Sequence, residues 1–463
     1  MRPAALPLRQ GDGYVLDDYL CVDELLKHAR DLAEDRPSRC RWRRIGASRA
    51  GEPMGMLSVG RGSRAVLVVA GAHANETAAG VAALALARYV ADAPEWTEGL
   101  DLTWHFVMCL DPDSARLHTV APHADGQFFA YHRGFFRPVG HEQPELAPSI
   151  RAPGDVLPES QALISVIEEL RPVVQISLHG IDVGGTWVQV TREIPGLAGP
   201  LAESADACGI PVERASFDTF FWPEAEPGVF VMPPPGEKER FDSHAEDAAA
   251  STWYLPNRLG GATALIEVPM WTSALVADLG VHPGAVDAVR TCVARLRERG
   301  GATARLLAGV SPRVPRGRVL EAAQVMSDLC PVLADDWCAL AADCAAGALP
   351  PLTRAHITAI EAHSRRLPLR AAAMLLHHVE REGTGREGAG RGDAGGGVGA
   401  GVARGDARGA ALRELHAETL GLVARWCDEH RSALRGRWLP VAQQVQHQAN
   451  TALAVASLVA GAA

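Results

Sequence analysis

Apolar positions along this chain fall into two regimes. Up to about residue 307, short continuous apolar runs alternate with stretches whose apolar residues recur at helical spacing. The runs 64–71, 102–110, 173–178, 186–190 and 263–268 predict buried strands. The stretches 22–33, 77–89, 159–170 and 284–299 predict helices. Such alternation is the pattern of an α/β domain. After Pro315 the strand-like runs stop, and 318–346, 352–381, 412–435 and 441–459 all read as helices. The expected organisation is an α/β domain over 1–310, followed by a C-terminal all-helical region. That region divides into helices over 311–381, a Gly/Ala/Arg-rich flexible linker or loop over 382–411, and a helical hairpin over 412–463.

Composition narrows the function classes. The 463 residues carry a net charge of −10, which argues against general binding to nucleic acid or anionic membranes. A span of roughly 18 consecutive apolar residues, the minimum for a membrane helix, is not found in the sequence. The first residues lack the apolar core of a secretory signal. Nine scattered cysteines without a CxxC pair read as free thiols, and the expected location is cytoplasmic.

The chemistry gathers where strand-like runs end. His73 and Glu76 stand in Ala-Gly-Ala-His73-Ala-Asn-Glu76, directly after the run 65–70, so an imidazole and a carboxylate three residues apart can face one point. A nitrogen and an oxygen donor suit zinc, and a hydrolytic zinc site needs a third protein ligand. His179 ends a second apolar run, in Ser177-Leu-His179-Gly, and is the candidate for that ligand. Glu267, in Ala264-Leu-Ile-Glu267-Val-Pro, puts a charge inside an apolar strand. It reads as a general base, or else as an edge residue facing water. Arg133 and Arg137, in Tyr131-His-Arg133-Gly-Phe-Phe-Arg137-Pro138, have aromatic surroundings in which a guanidinium needs an anion, a developing oxyanion or a structural carboxylate.

This ordered set resembles the zinc carboxypeptidases of the carboxypeptidase A type, peptidase family M14. The family's His-x-x-Glu matches His73-Ala-Asn-Glu76, its later strand-end histidine matches His179, and its catalytic glutamate matches Glu267. The stretch 44–51 resembles the segment leading into the family's first core strands, and Asp111-Pro-Asp-Ser resembles its Asn-Pro-Asp-Gly turn. Phe136-Arg137-Pro138 resembles the segment with the transition-state arginine, which makes Arg137 the first choice for that role and Arg133 the second. The resemblance spans roughly residues 20–305. It implies a mixed central sheet flanked by helices, one Zn2+ per chain on His73, Glu76 and His179, and a peptide or small-amide substrate. Two family features have no clear counterpart. Where an adjacent Asn-Arg pair would clamp a substrate carboxylate, the chain reads Gly140-His-Glu-Gln-Pro-Glu145, and Tyr254 lies too close to Glu267 to serve as the family's phenolic tyrosine.

The expected function is therefore a zinc-dependent metallopeptidase of carboxypeptidase type, with water attacking an amide and Glu267 as base. A zinc amidohydrolase or deacylase is the close alternative, because the clamp is missing. A non-catalytic binding module on an inactivated hydrolase fold is the alternative of a different class. Homo-oligomerisation through the C-terminal helices is a further reading. His105, His118, His123, His132 and His141 crowd one region without ligand spacing and read mostly as surface or loop residues, with His132 and His141 as cleft candidates.

Overall fold

The computed structural model describes residues 8, 13–119, 127–233, 250–310, 316–387 and 401–461. Among them, ten strands form one mixed sheet. They are β1 (Cys40–Ala47), β2 (Pro53–Gly60), β3 (Arg64–Val69), β4 (Leu102–Val107), β5 (Val174–Gly184), β6 (Trp187–Val190), β7 (Glu224–Glu226), β8 (Val229–Val231), β9 (Thr263–Thr272) and β10 (Arg437–Trp438). The order is β1-β2-β4-β3-β5-β9-β6-β8-β7, with β10 added against β9. Strands β3, β5 and β9 are neighbours and run parallel, so their C-terminal ends lie on one side. That is where open α/β sheets collect their chemistry.

Two strands run further than their apolar patterns. β5 continues through His179 to Gly184, because Ile181 to Gly184 keep pairing with Pro269 to Thr272 of β9. His179 therefore lies within a strand and not at its end. β9 is buried along its whole length, so Glu267 does not face water from a sheet edge. The edge strand β1 and its neighbour β2 carry no continuous apolar run, since arginines and glycines interrupt them.

Among the described residues, nine long helices surround the sheet: α1 (Val22–Asp35), α2 (Ala78–Asp92), α3 (Pro158–Leu170), α4 (Ala198–Cys208), α5 (Ala285–Ala308), α6 (Arg318–Ala345), α7 (Arg354–Glu387), α8 (Gly401–Ala433) and α9 (Val441–Gly461). One sheet face carries α1, α2 and α9 over Val66, Val68, Ile176 and Ile266. α2 is apolar nearly all round, the mark of a helix buried on several sides, and α9 is buried nearly all round with Gln444, His447 and Gln448 among its buried residues. The opposite face packs Leu67 and Val69 against α3 through Leu163, Val166 and Ile167. α5, α6 and α7 pack side by side around Leu296, Trp337 and Ile360.

The last two helices do not act as a unit of their own. α8 lies on α7 and on the short helix Phe128–Arg133, whereas α9 lies on α2, α4, β9 and β5. Apolar residues around most of α9 give it more to bury than one partner helix could cover. Of the expected linker over 382–411, residues 382–387 continue α7 and 401–411 open α8, where alanine and arginine favour helix. Residues 388–400 lie outside the described residues. Among the described residues, no helix is long and apolar enough to cross a membrane. All nine cysteines are free thiols.

Candidate active site

The turn after β3 sets the first two candidate ligands. Gly71 adopts φ +64°, a left-handed conformation that suits glycine, and an added Cβ would sit 3.0 Å from the backbone of Cys109. The turn is tied to the end of β4 by Leu110 N–H to Ala70 O and Asp111 N–H to Gly71 O, both 2.9 Å. Glu76 N–H then bonds His73 O at 3.2 Å, folding His73-Ala-Asn-Glu76 into one turn ahead of α2.

That turn brings Glu76 between two imidazoles. Glu76 Oε1 lies 2.9 Å from His73 Nδ1, Glu76 Oε2 lies 3.0 Å from His179 Nδ1, and the two Nδ1 atoms are 3.1 Å apart. All three side chains are buried, and their ligand atoms lie within 4.8 Å of one another. Two ring nitrogens at such a separation need a proton or a cation between them. The cluster thus converges two nitrogens and a carboxylate on a point that demands positive charge, and this donor set fits zinc.

Each imidazole is held from behind. Gln143 Oε1 lies 3.0 Å from His73 Nε2, and Gln143 Nε2 donates to Pro138 O at 2.9 Å, which turns the amide oxygen towards the ring. Glu145 Oε2 lies 3.0 Å from His179 Nε2, while its Oε1 accepts from Ser177 Oγ at 2.7 Å. The Glu145 carboxylate behind His179 Nε2 favours a hydrogen there and turns Nδ1 inward towards the cluster, whereas His73 Nε2 faces both the Gln143 oxygen and the Arg137 guanidinium. Gln143 and Glu145 belong to the stretch 140–145, which has no local sequence signal for these contacts.

Burial, aided by the charge of Arg137, pushes the His73 pKa down to about 4. Burial opposes charge on His179 as well, but the Glu76 and Glu145 carboxylates overcome it and hold that imidazole well above its ordinary value. The same two histidines hold Glu76 well below its ordinary value against its burial. One proton thus resides on His179, between Glu76 and Glu145, where a bound cation would displace it.

Glu267 sits opposite His179 in the β5–β9 register. Burial first, and the Glu76 charge beside it, push its carboxyl up to about 8. Arg137 donates from Nη1 to Glu76 Oε1 at 2.9 Å, and its Nη2 lies 3.2 Å from His73 Nε2. His73, Glu76, Arg137, His179 and Glu267 all line one cavity of about 370 Å³. The second-choice arginine is elsewhere. Arg133 is half exposed, and Glu380 of α7 accepts from its Nε at 3.0 and 3.1 Å. A solvated guanidinium already engaged by a carboxylate has no access to the cavity chemistry.

Other expectations sort as follows. His105, His118 and His132 are buried and not on the surface, and His141 is exposed. His105 bonds Ser58, His118 accepts from Phe136 N–H, and His132 Nδ1 bonds Phe128 O. His123 lies outside the described residues. Tyr254 donates to the carbonyls of Met232 and Pro233, and Trp253 lines the cavity. α7 adds His363, Arg366 and Arg370 to the cavity wall. Their distance in sequence from His179 left no local signal.

The zinc carboxypeptidase family model (peptidase family M14) matches residues 25–119, the stretch that carries His73 and Glu76. There the resemblance drawn from the sequence stands. No curated protein matches the chain. Among solved structures, the chain is similar to a metallo-carboxypeptidase from Burkholderia cenocepacia, with 17% identity, TM-score 0.33 and coverage of 53% of this chain and 58% of that one. It is also similar to carboxypeptidase A from Helicoverpa armigera, with 15% identity, TM-score 0.38, and 55% and 65% covered. A metallo-carboxypeptidase from Pseudomonas aeruginosa shows 15% identity, TM-score 0.33, and 53% and 59% covered. The chain spans less than two thirds of the length of each of these three.

Proposed function

We propose that this chain is a zinc-dependent hydrolase of the metallocarboxypeptidase type, cleaving a peptide or amide bond. The observation that carries the reading is the convergence of His73 Nδ1, His179 Nδ1 and the Glu76 carboxylate within 4.8 Å of one another, in the cavity that Glu267 also lines. Residue chemistry and the family match over residues 25–119 both support it.

His73, Glu76 and His179 would hold the ion. When bound, zinc supplies Lewis acidity and makes water a nucleophile near neutral pH. Glu267, whose ionised form a cation held beside it would favour, accepts the proton of the attacking water on its carboxylate and returns it to the departing nitrogen. Its buried position keeps that proton from bulk water. Arg137 offers two guanidinium donors to the oxygen that gains negative charge, exchanging its bond to Glu76 for one to the substrate.

A deacylase or amidohydrolase is the second reading, and one observation favours it. Gln143 and Glu145 stand where the family's carboxylate clamp would be, and both are engaged behind the imidazoles. The test is elemental analysis of wild type and His179→Ala after zinc has been supplied, with hydrolysis of a mixed peptide and N-acyl-amino-acid library on the same samples. About one zinc per chain, lost in the variant together with hydrolysis, is the expected result. A wild type that binds no zinc would overturn the reading in favour of a binding module.

A further inference from the structure

The cavity has a second wall that this mechanism leaves without a task. Arg366 and Arg370, one turn apart on α7, line it together with the candidate metal ligands. Both flank Asp182, which is buried on β5 three residues after His179. Arg366 Nε lies 2.6 Å from Asp182 Oδ1, and Arg370 Nη2 lies 3.6 Å from Asp182 Oδ2. Val183 N–H donates to Asp182 Oδ1 at 2.8 Å, and His132 Nε2 at 3.8 Å and His430 Nε2 at 3.9 Å lie near its other oxygen.

Two guanidiniums share one carboxylate here. Arg366 also donates from Nη2 to Val183 O at 3.2 Å. Arg370 has no partner within hydrogen-bonding distance on Asp182. Its Nε is buried without an acceptor, and its guanidinium lies 4.9 Å over the Phe135 ring, which orients it. A desolvated guanidinium with an unpartnered N–H is costly unless an acceptor completes it. A carboxylate matches a guanidinium fork with two parallel bonds. The acid that must be weighed against this is Asp218, half-buried on the same cavity wall.

We propose that Arg366 and Arg370 bind a carboxylate of the substrate, so that the C-terminal helical region supplies the anion recognition missing from residues 140–145. The substrate class is then an amide or peptide bearing a free carboxylate. The placement on α7 makes the helical region part of the site. This inference rests on the hydrolase reading for the word substrate, though the anion subsite is testable without turnover.

The experiment uses the full chain, stripped of metal with a chelator, and calorimetric titration with a library of N-acyl dipeptides, each as the free acid and as the carboxamide. At least one acid should bind roughly ten- to a hundredfold more tightly than its own amide, the difference expected of charge-assisted bonding. Arg370→Gln should remove that preference, Arg370→Lys should restore part of it, and Asp218→Asn should strengthen acid binding. Arg366 is left intact because its contact with Asp182 helps to seat α7. If no acid outbinds its amide in wild type, or if Arg370→Gln keeps the preference, the inference is overturned. The wild-type comparison holds even where a variant fails to fold. The zinc-loaded protein separates the two levels. Equal hydrolysis of acids and amides would leave the hydrolase reading standing and remove the subsite. Acid-selective binding without hydrolysis would do the reverse.

Discussion

Glu145 Oε2 lies 3.0 Å from Nε2 of His179, the imidazole whose Nδ1 faces Glu76. A carboxylate behind a ligating histidine fixes its ring orientation and raises its basicity. Glu145→Ala should therefore weaken zinc binding about 10- to 100-fold, measured by competition against a chelating dye. Unchanged affinity would mean that Glu145 serves only to pack the strand.

Glu267→Gln keeps the shape of the base and removes its proton chemistry. Hydrolysis of any cleaved library member should fall about 10²- to 10⁴-fold, with zinc content unchanged. If the variant retains wild-type turnover, another group takes the proton.

Glu213 gives a stability test away from the metal site. Its carboxylate accepts from Gly185 N–H at 2.8 Å, yet burial raises its pKa from an ordinary 4.5 to about 7. As pH rises from 4.5 to 7, the unfolded chain releases this proton while the folded chain retains it. Stability from this group is thus complete below pH 4.5 and is lost through pH 7, by about 3 kcal/mol. Glu213→Gln should flatten that part of the profile in urea unfolding from pH 4.5 to 7.5. An equal slope in both proteins would refute the assignment.

Gln448 of α9 donates from Nε2 to His179 O at 2.6 Å and to Ile266 O at 3.2 Å, joining the two strands that carry His179 and Glu267. Gln448→Leu should cost about 1–3 kcal/mol, because two buried carbonyls lose a donor. The thermal midpoint should drop and zinc binding should weaken with it. A drop in stability with unaltered zinc affinity would limit Gln448 to a structural role.

Much of this arrangement was legible in the sequence. β3, β5 and β9 are continuous apolar runs, and the candidate ligands and base interrupt or end them, so local pattern and chemistry coincide at His73, His179 and Glu267. Arg137 against Arg133 was ambiguous, since both share one aromatic segment; a partner 247 residues away, Glu380, separates them. Gln143 and Glu145 were visible only as a deviation, because no local pattern says that a loop carboxylate will reach a strand histidine. Arg366 and Arg370 gave no signal at all, as a helix of mixed charge reads as a solvated face until its neighbours are known.

The place of α9 has a consequence for how the chain reaches its folded state. The bond from Gln448 to His179 closes 269 residues of chain. Contacts of such separation pay their loop-closure entropy late and slow folding. Until residues 441–461 dock, α2 and the central strands lack their cover, and the strands that carry His179 and Glu267 are not yet bridged. Assembly of the candidate site is in this way coupled to one of the latest folding events, so an incompletely folded chain would not yet hold His73, Glu76 and His179 together.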